Sequence, residues 1–142
     1  MGLRLQAGDV TVLLGPDAVR REVMDALDDG SARCASGHTG VPVHRLVTRA
    51  CAGLAERMDA VETARTSGAA LVLVDRVTDG LPAAARRAVL SAVRGVAGPG
   101  RAVLVDDSDP VAALSVADGA LRADPAGRLV PEQIAAPDYL AS

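Results

Sequence analysis

The sequence predicts an α/β fold in which a mostly parallel sheet is flanked by helices. Three apolar runs rich in β-branched residues, Val10 to Leu14, Leu71 to Val74 and Ala102 to Val105, are separated by segments with helical spacing. The Leu71 to Val74 run does not alternate apolar with polar residues, which indicates a strand buried on both faces of a parallel sheet. This βαβ rhythm predicts that Leu71 to Val74 is the central strand and that the other two runs are its neighbours.

Length and composition limit the function classes. A chain of 142 residues predicts one domain spanning 1–142. The net charge of -3 provides no basic footprint for nucleic acid, and the apolar runs are too short to enter a membrane as a span. The first residues lack the basic and apolar segments of a secretory signal. Two cysteines, Cys34 and Cys51, fit a reducing compartment, so we expect a cytoplasmic protein.

The first half of the chain predicts a hairpin, two helices and a loop. Leu3 to Gln6 and Val10 to Leu14 read as strands joined by Ala-Gly-Asp. A helix is expected from about Ala18 to Asp28, with Asp17 as its N-cap. Ser31 to Pro42 is loop-like. A long helix is predicted from Val43 to Arg65 because apolar residues form one stripe at helical spacing, namely Leu46, Val47, Ala50, Leu54, Met58 and Val61.

The second half predicts two more helices and a terminal strand pair. Ala83 to Val96 is helical, and a short helix ending near Val116 follows Asp109 as N-cap and Pro110 at the first helical position. Ala-Asp-Gly-Ala-Leu-Arg and Gly-Arg-Leu-Val are expected to pair across Asp124-Pro125-Ala126-Gly127. Val130 to Ile134 is predicted as a short surface helix.

The stretch from Leu71 to Pro82 resembles the Walker B strand and D-loop of ABC-transporter ATPase domains. In that family four apolar residues precede Asp-Glu-Pro-Thr-x-Gly-Leu-Asp, and the matching residues here are Asp75, Thr78, Gly80 and Leu81. Arg76 stands where the family keeps the glutamate that polarises the attacking water. Val77 replaces the proline, and Pro82 replaces the final aspartate. The resemblance therefore preserves the strand and turn but not the Walker B chemistry.

The residues around Gly15 resemble the start of the same family's phosphate-binding loop. Leu-Leu-Gly-Pro-Asp matches the strand end, but Ala18 and Arg20 replace loop glycines, Arg21 replaces the lysine and Glu22 replaces the Mg²⁺-binding hydroxyl. The chain contains no lysine, and a standard P-loop requires one to reach the β- and γ-phosphates. The alternative interpretation is an ordinary helix start, which these residues favour.

The tail resembles the family's H-loop strand and terminal hairpin, with Ser108 in place of the switch histidine. Of the signature motif, which falls on Cys51 to Ala55, only Gly53 matches. No aromatic residue that could stack on adenine precedes Tyr139. The resemblance covers most of the chain except Ser31 to Arg49, a region in which the family's helical subdomain is shortened.

The resemblance implies a P-loop NTPase-like fold. Enzymes catalyse phosphoryl transfer by positioning the phosphate and stabilising its charge, and the polar residues that make these contacts in the family are missing here. We therefore expect a pseudo-ATPase with no catalytic residue, no cofactor and only a vestigial site at Gly15, Arg20, Arg21 and Asp75. The expected function is that of a protein-interaction or regulatory module. Its expected partners are another protein such as a membrane permease, or a second copy bound through the Val43 to Arg65 helix or a sheet edge.

Two alternatives remain open at the level of sequence. Gly15, Arg20 and Arg21 could bind ATP weakly as an anion site at a helix N-terminus. Alternatively, Asp75, Asp106, Asp107 and Asp109 could hold Mg²⁺ for an enzyme, because they follow two strands that could be neighbours. Helix capping and loop charge are the simpler explanation of Asp106, Asp107 and Asp109. Cys34, His38, His44 and Cys51 do not have zinc-finger spacing, so we expect no metal site there.

Overall fold

A computed structural model of the chain describes residues 5–31 and 41–132. The strands are β1 (Val10–Leu14), β2 (Val43–Val47), β3 (Leu71–Asp75), β4 (Ala102–Asp106), β5 (Gly119–Ala123) and β6 (Leu129–Glu132). The helices are α1 (Asp17–Ala26), α2 (Leu54–Arg65), α3 (Ala83–Arg94) and α4 (Pro110–Leu114). A single π-helical turn, Leu27–Ser31, extends α1. No helix in these two described ranges has the length and apolar character that a membrane span needs.

The six strands form one sheet in the order β2-β3-β4-β1-β5-β6. Every neighbouring pair is parallel except β5 and β6, which are antiparallel. The predicted α/β fold with a mostly parallel sheet is confirmed. The predicted neighbours of β3 are only half right, because β4 pairs with β3 but also separates it from β1. The other side of β3 is occupied by β2.

Side-chain alternation within the buried strands divides the core into two layers. Val72 and Val74 of β3 belong to the layer that packs against α2, α3 and α4. Leu71 and Leu73 point to the opposite face and share a layer with Val23 and Met24 of α1. With helices on both faces, the central strands β3 and β4 have no solvated side, which explains why their sequences read as continuous apolar runs.

The predicted long helix from Val43 to Arg65 is wrong in its first half. Val43–Val47 is a strand that pairs with β3 over its full length, from Val43 beside Leu71 to Val47 beside Asp75. The helix begins only at Leu54, after Gly53. A parallel ladder with a strand far along the chain outweighs local helical spacing, and two valines in five residues favour the extended state.

The start of the chain also differs from the prediction. Leu5 and Gln6 are not in a strand, and Leu3 lies outside the described residues, so the described part of the first strand of the predicted hairpin is absent. Asp17 is the first residue of α1 rather than its N-cap. Pro16 takes the N-cap position, which receives no side-chain hydrogen bond. The Asp17 carboxylate instead contacts arginines.

The end of the described chain agrees better with the sequence. β5 and β6 form the predicted hairpin, and its turn is held by the Asp124 carboxylate, which accepts hydrogen bonds from the Ala126 and Arg128 N–H groups at 2.9 Å each. Asp109 caps α4 as predicted by accepting from the Ala112 N–H at 3.2 Å. Val130 to Glu132 lie in β6, so the predicted surface helix is wrong over its described part. Gln133 and Ile134, like most of the predicted Ser31 to Pro42 loop, lie outside the described residues.

Candidate functional site

The carboxyl ends of β1, β3 and β4 meet at one edge of the sheet, where open α/β proteins bind their ligands. Asp75 and Asp106 end neighbouring parallel strands and are direct register partners. Gly15 follows the end of β1, and α1 begins two residues later. The sequence prediction that the strands ending at Asp75 and Asp106 are neighbours is therefore correct.

A four-membered ring of alternating charges occupies the space between these strand ends. The Arg20 guanidinium contacts the carboxylates of both Asp17, at 3.3 Å, and Asp106. The Arg76 guanidinium contacts the same two carboxylates, with its Nε 3.7 Å from Asp106 Oδ2. Two arginines and two aspartates thus neutralise one another. This ring is defined below as the Asp17–Arg20–Asp106–Arg76 ring.

The two aspartates of the ring differ sharply in burial. The Asp106 side chain is 2% exposed, whereas that of Asp17 is 56% exposed. Burial raises the pKa of Asp106, and the charges of Arg20 and Arg76 oppose that rise. The buried carboxylate therefore depends on the two arginines for its compensation in a region of low dielectric constant.

Arg76 owes its place in the ring to an unusual backbone conformation. Its φ angle is +55°, the only positive value at a non-glycine position in the described residues. Its N–H donates to the Asp106 carbonyl oxygen at 2.8 Å. This left-handed residue turns the chain directly after β3. The sequence did not indicate this conformation, which arginine seldom adopts.

Asp75 belongs to a second charged group around Arg45 of β2. The Arg45 guanidinium donates to Asp75 Oδ2 at 2.9 and 3.1 Å, to Asp25 at 2.8 Å and to Asp28 at 3.2 Å. Burial tends to lower the pKa of Arg45, but the hydrogen bonds that its guanidinium donates to Asp25, Asp75 and Asp28 outweigh burial and raise the pKa above its ordinary value. The Asp75 carboxylate is consequently occupied by a guanidinium on the adjacent strand.

The remaining strand-end carboxylates are also engaged by the protein. Asp107 is buried, accepts from the Thr78 hydroxyl at 2.8 and 3.0 Å, and accepts from the Asp109 N–H at 2.9 Å. Burial raises its pKa. Asp109 pairs with Arg86 at 3.0 Å while capping α4. Within the described ranges, no group of three or more His, Cys, Asp or Glu side chains is placed to hold a metal ion.

Comparison with solved structures shows which architecture surrounds these charges. A nucleotide-free ATP-binding cassette from an ABC transporter matches 90% of this chain and 81% of its own, with a TM-score of 0.62 and 10% identity. The dimeric structure of a bacterial ABC transporter cassette matches 94% of this chain and 89% of its own, with a TM-score of 0.61 and 10% identity. This chain has the fold of an ABC transporter ATP-binding cassette. No protein-family profile matches the sequence, and no curated protein does either.

In this cassette fold, the turn between β1 and α1 is short. Only Gly15 and Pro16 separate the strand from the helix. Gly15 has a φ of +117°, and a Cβ atom there would lie 2.2 Å from the Ala123 carbonyl oxygen. Because β5 approaches position 15 so closely, glycine is required there for packing alone, and no ligand is needed to explain it. Arg20 fills the adjacent space by donating from Nε to the Gly15 carbonyl oxygen at 3.0 Å.

The other predicted residues of the P-loop region are spread apart. The Arg21 side chain is 59% exposed and lies 3.7 Å from the Asp17 carboxylate. Glu22 is exposed on α1. Ser108 is exposed and contacts the Asp79 carboxylate. Gly15 and Arg20 are thus in direct contact, and Arg21 approaches the same Asp17 carboxylate as Arg20, whereas Asp75 belongs to the group around Arg45.

The structure describes two of the four cysteine and histidine residues. His44 lies half-buried in β2, and Cys51 is a free, exposed thiol in the loop before α2. Cys34 and His38 lie outside the described residues.

Sequence reasoning missed Arg57, which is 2% exposed. Its guanidinium donates to four backbone carbonyl oxygens: Ala52 at 2.8 Å, Val77 at 3.1 Å, Asp79 at 2.5 Å and Ala50 at 3.2 Å. These carbonyls come from the loop before α2 and from the turn after β3, so Arg57 joins two segments of the site edge. The burial of Arg57 could have been inferred from its spacing in the sequence. It lies four residues before Val61 and seven before Ala64, which places it on the buried face of α2.

Proposed function

We propose that this chain is a pseudo-ATPase that keeps the cassette fold as a protein-interaction or regulatory module. One observation carries the proposal, which is the Asp17–Arg20–Asp106–Arg76 ring at the carboxyl ends of the strands. Phosphoryl transfer needs free cationic and metal-binding groups aimed at the phosphates. Here the arginines and carboxylates at that edge bind one another instead.

The sequence departures support the same proposal. The chain contains no lysine, Arg76 replaces the glutamate that would polarise water, and Ser108 replaces the switch histidine. Each replacement removes a different contact to the phosphates. A magnesium enzyme at Asp75, Asp106 and Asp107 receives no comparable support, because each of these carboxylates already has a protein partner.

The proposed partner is a protein, either a second copy of this chain or a membrane permease, acting in the cytoplasm. One structure with the same fold is a dimer by its description. Val47 at the end of β2 and Leu54 at the start of α2 are exposed apolar residues at one side of the sheet edge. They fall within the stretch predicted from sequence to form an interface, although its first half is a strand. We assign the protein contact to this surface.

Nucleotide binding tests the pseudo-ATPase half of the proposal. Calorimetric titration of the chain with ATP in the presence of Mg²⁺ is expected to show no binding in the micromolar range. Hydrolysis should equal that of the buffer. Micromolar, Mg²⁺-dependent binding that Arg21→Ala abolishes would contradict the proposal.

Sedimentation equilibrium at micromolar concentration tests the interaction half. We expect a dimer, or a monomer that forms a complex with a co-purified permease, and Val47→Asp with Leu54→Asp should abolish either association. Val111→Asp is the matched control, because Val111 is also exposed but lies on α4. A strictly monomeric protein without a recovered partner would leave this half unsupported.

A further inference from the structure

We infer that β2 is the edge along which two copies of this chain pair, so that their sheets join into one across a two-fold axis. β2 is the last strand on its side of the sheet, and β3 occupies only one of its two edges. This inference deepens the proposed function and rests on it, because it commits the proposed protein contact to a second copy and specifies how that copy binds.

The hydrogen bonds to β3 show which backbone groups of β2 remain open. The Leu71 N–H donates to the Pro42 carbonyl oxygen at 3.2 Å, so position 42 faces β3. Successive residues of a paired strand turn their N–H and C=O groups to alternate sides. The odd-numbered residues of β2 therefore turn theirs outward, namely Val43, Arg45 and Val47. In residues 5–31 and 41–132 these outward groups donate or accept no hydrogen bond.

The opposite edge of the sheet, formed by β6, is protected. In the β5–β6 hairpin the Asp124 N–H donates to the Arg128 carbonyl oxygen at 2.9 Å, so the same alternation turns position 131 outward. That position is Pro131, which has no N–H. Proline on an edge strand is a recurring device against unwanted strand pairing. The outward positions of β2 hold no proline, so its edge lacks this protection.

The open edge of β2 is complementary to itself. In an antiparallel pair centred on Arg45, Val43 lies opposite the partner's Val47, and Arg45 lies opposite the partner's Arg45. Each outward residue then exchanges both of its backbone groups with the residue opposite, which gives about six hydrogen bonds. The valine pairs add apolar contact at both ends of the strand. A two-fold axis therefore satisfies every outward group of the edge, which is why the occupant is a second copy.

The charges beside β2 determine how this contact responds to salt. The Arg45 guanidinium lies near the axis and is paired with three carboxylates, those of Asp25, Asp28 and Asp75. One positive and three negative charges give each copy a group of net charge -2 there, so two negative groups approach each other. Salt screens this repulsion, because the Debye length falls from about 10 Å at 0.1 M to about 3 Å at 1 M. The dimer dissociation constant should therefore fall over this range, and a rise would contradict the pairing centred on Arg45.

Amide hydrogen exchange measured by NMR on the unchanged chain tests the inference. At a concentration at which the chain is monomeric, the outward N–H groups of Val43, Arg45 and Val47 should exchange rapidly, whereas β3 protects those of His44 and Leu46. At a concentration at which it is dimeric, exchange of the outward groups should slow at least tenfold. Outward groups that are protected equally at both concentrations would overturn the inference, because the chain itself would then cover the edge.

Val47→Pro provides the second test. Val47 is exposed, and the substitution removes one outward N–H but none of the groups that pair with β3. The dimer dissociation constant in sedimentation equilibrium should rise at least tenfold. Ala83→Pro is the matched control, because Ala83 is exposed at the first position of α3, where proline is tolerated, so dimerisation should be unchanged.

The possible failures of the two proposals differ. A dimer that Val47→Pro weakens no more than Ala83→Pro does would overturn the pairing along β2, while the proposed interaction module would stand on another surface. A chain that binds a permease but never itself would have the same meaning. Hydrogen exchange keeps the inference testable if Val47→Pro does not fold, because it requires no substitution.

Discussion

Arg57 is the residue whose replacement tests the structure most severely. The proposed change is Arg57→Met, which keeps the length and most of the packing volume of the side chain but removes all five donors. Four carbonyl oxygens lose their hydrogen-bond partner. The change therefore isolates the polar contribution of the guanidinium at a site that is almost completely buried.

The expected loss of stability depends on which of the four hydrogen bonds are buried away from water. The bonds to Ala52 and Val77 are fully buried, so each carbonyl left unsatisfied costs about 1–3 kcal/mol. The bonds to Asp79 and Ala50 are partly exposed, so water can replace the donor there. The Arg57 charge is buried and paired only with carbonyl oxygens, so removing it recovers part of its desolvation cost and makes the loss smaller. Two unsatisfied carbonyls at about 1–3 kcal/mol each, less the returned desolvation cost, give an expected fall in the free energy of unfolding of about 2–5 kcal/mol.

Urea unfolding measured by circular dichroism provides the assay, with the slope m compared between variants to detect changes in the unfolded state. Arg65→Met is the matched control, because Arg65 lies on the same helix and is exposed in an ion pair with Glu62. An exposed ion pair is worth about 0.2–1 kcal/mol, so the control should lose no more than that. A loss below about 1 kcal/mol for Arg57→Met, or one equal to that of Arg65→Met, would refute the reasoning.

Two further predictions concern the edge of the sheet. Gly15→Ala should lower the free energy of unfolding by about 2–5 kcal/mol, because it combines a left-handed backbone with a Cβ placed against the Ala123 carbonyl oxygen. Gly53→Ala is the control: no atom lies within 4 Å of its Cβ, so it should cost only about 0.5–1 kcal/mol, through a weaker N-cap of α2. Equal losses in urea would contradict this expectation. Burial raises the pKa of Asp107, so between its ordinary and raised pKa values the folded chain binds more protons than the unfolded chain. The stability of the unchanged chain relative to Asp107→Asn should therefore decrease as pH rises above about 4, and a difference that stays constant from pH 4 to pH 7 would show that burial does not govern this carboxylate.

Local patterns in the sequence determined much of the fold. The Leu71 to Val74 run, the hairpin around Asp124 and the Asp109 cap of α4 were predicted from residue types within a few positions of one another. Each depends on short-range physics, namely burial of a continuous apolar run, turn chemistry and side-chain capping. Tertiary structure has little freedom to reverse such preferences, and the structure agrees with them.

Only the tertiary structure shows that Val43 to Val47 form a strand. The apolar residues of this segment have helical spacing in the sequence. In the structure all five residues instead pair in parallel with β3. A ladder between strands almost thirty residues apart leaves no local trace. Sequence spacing therefore predicted the wrong element, and with it the wrong neighbour for the central strand.

The partners of the charged side chains were likewise settled only in three dimensions. The sequence determined that the chain has fifteen arginines and no lysine, and that aspartates follow its strands. It did not determine that Arg20 meets Asp106, 86 residues away, or that Arg57 is buried against carbonyls of a turn 20 residues away. Ion pairs and buried hydrogen bonds depend on which elements the fold brings within about 4 Å, because beyond that distance water screens the charges.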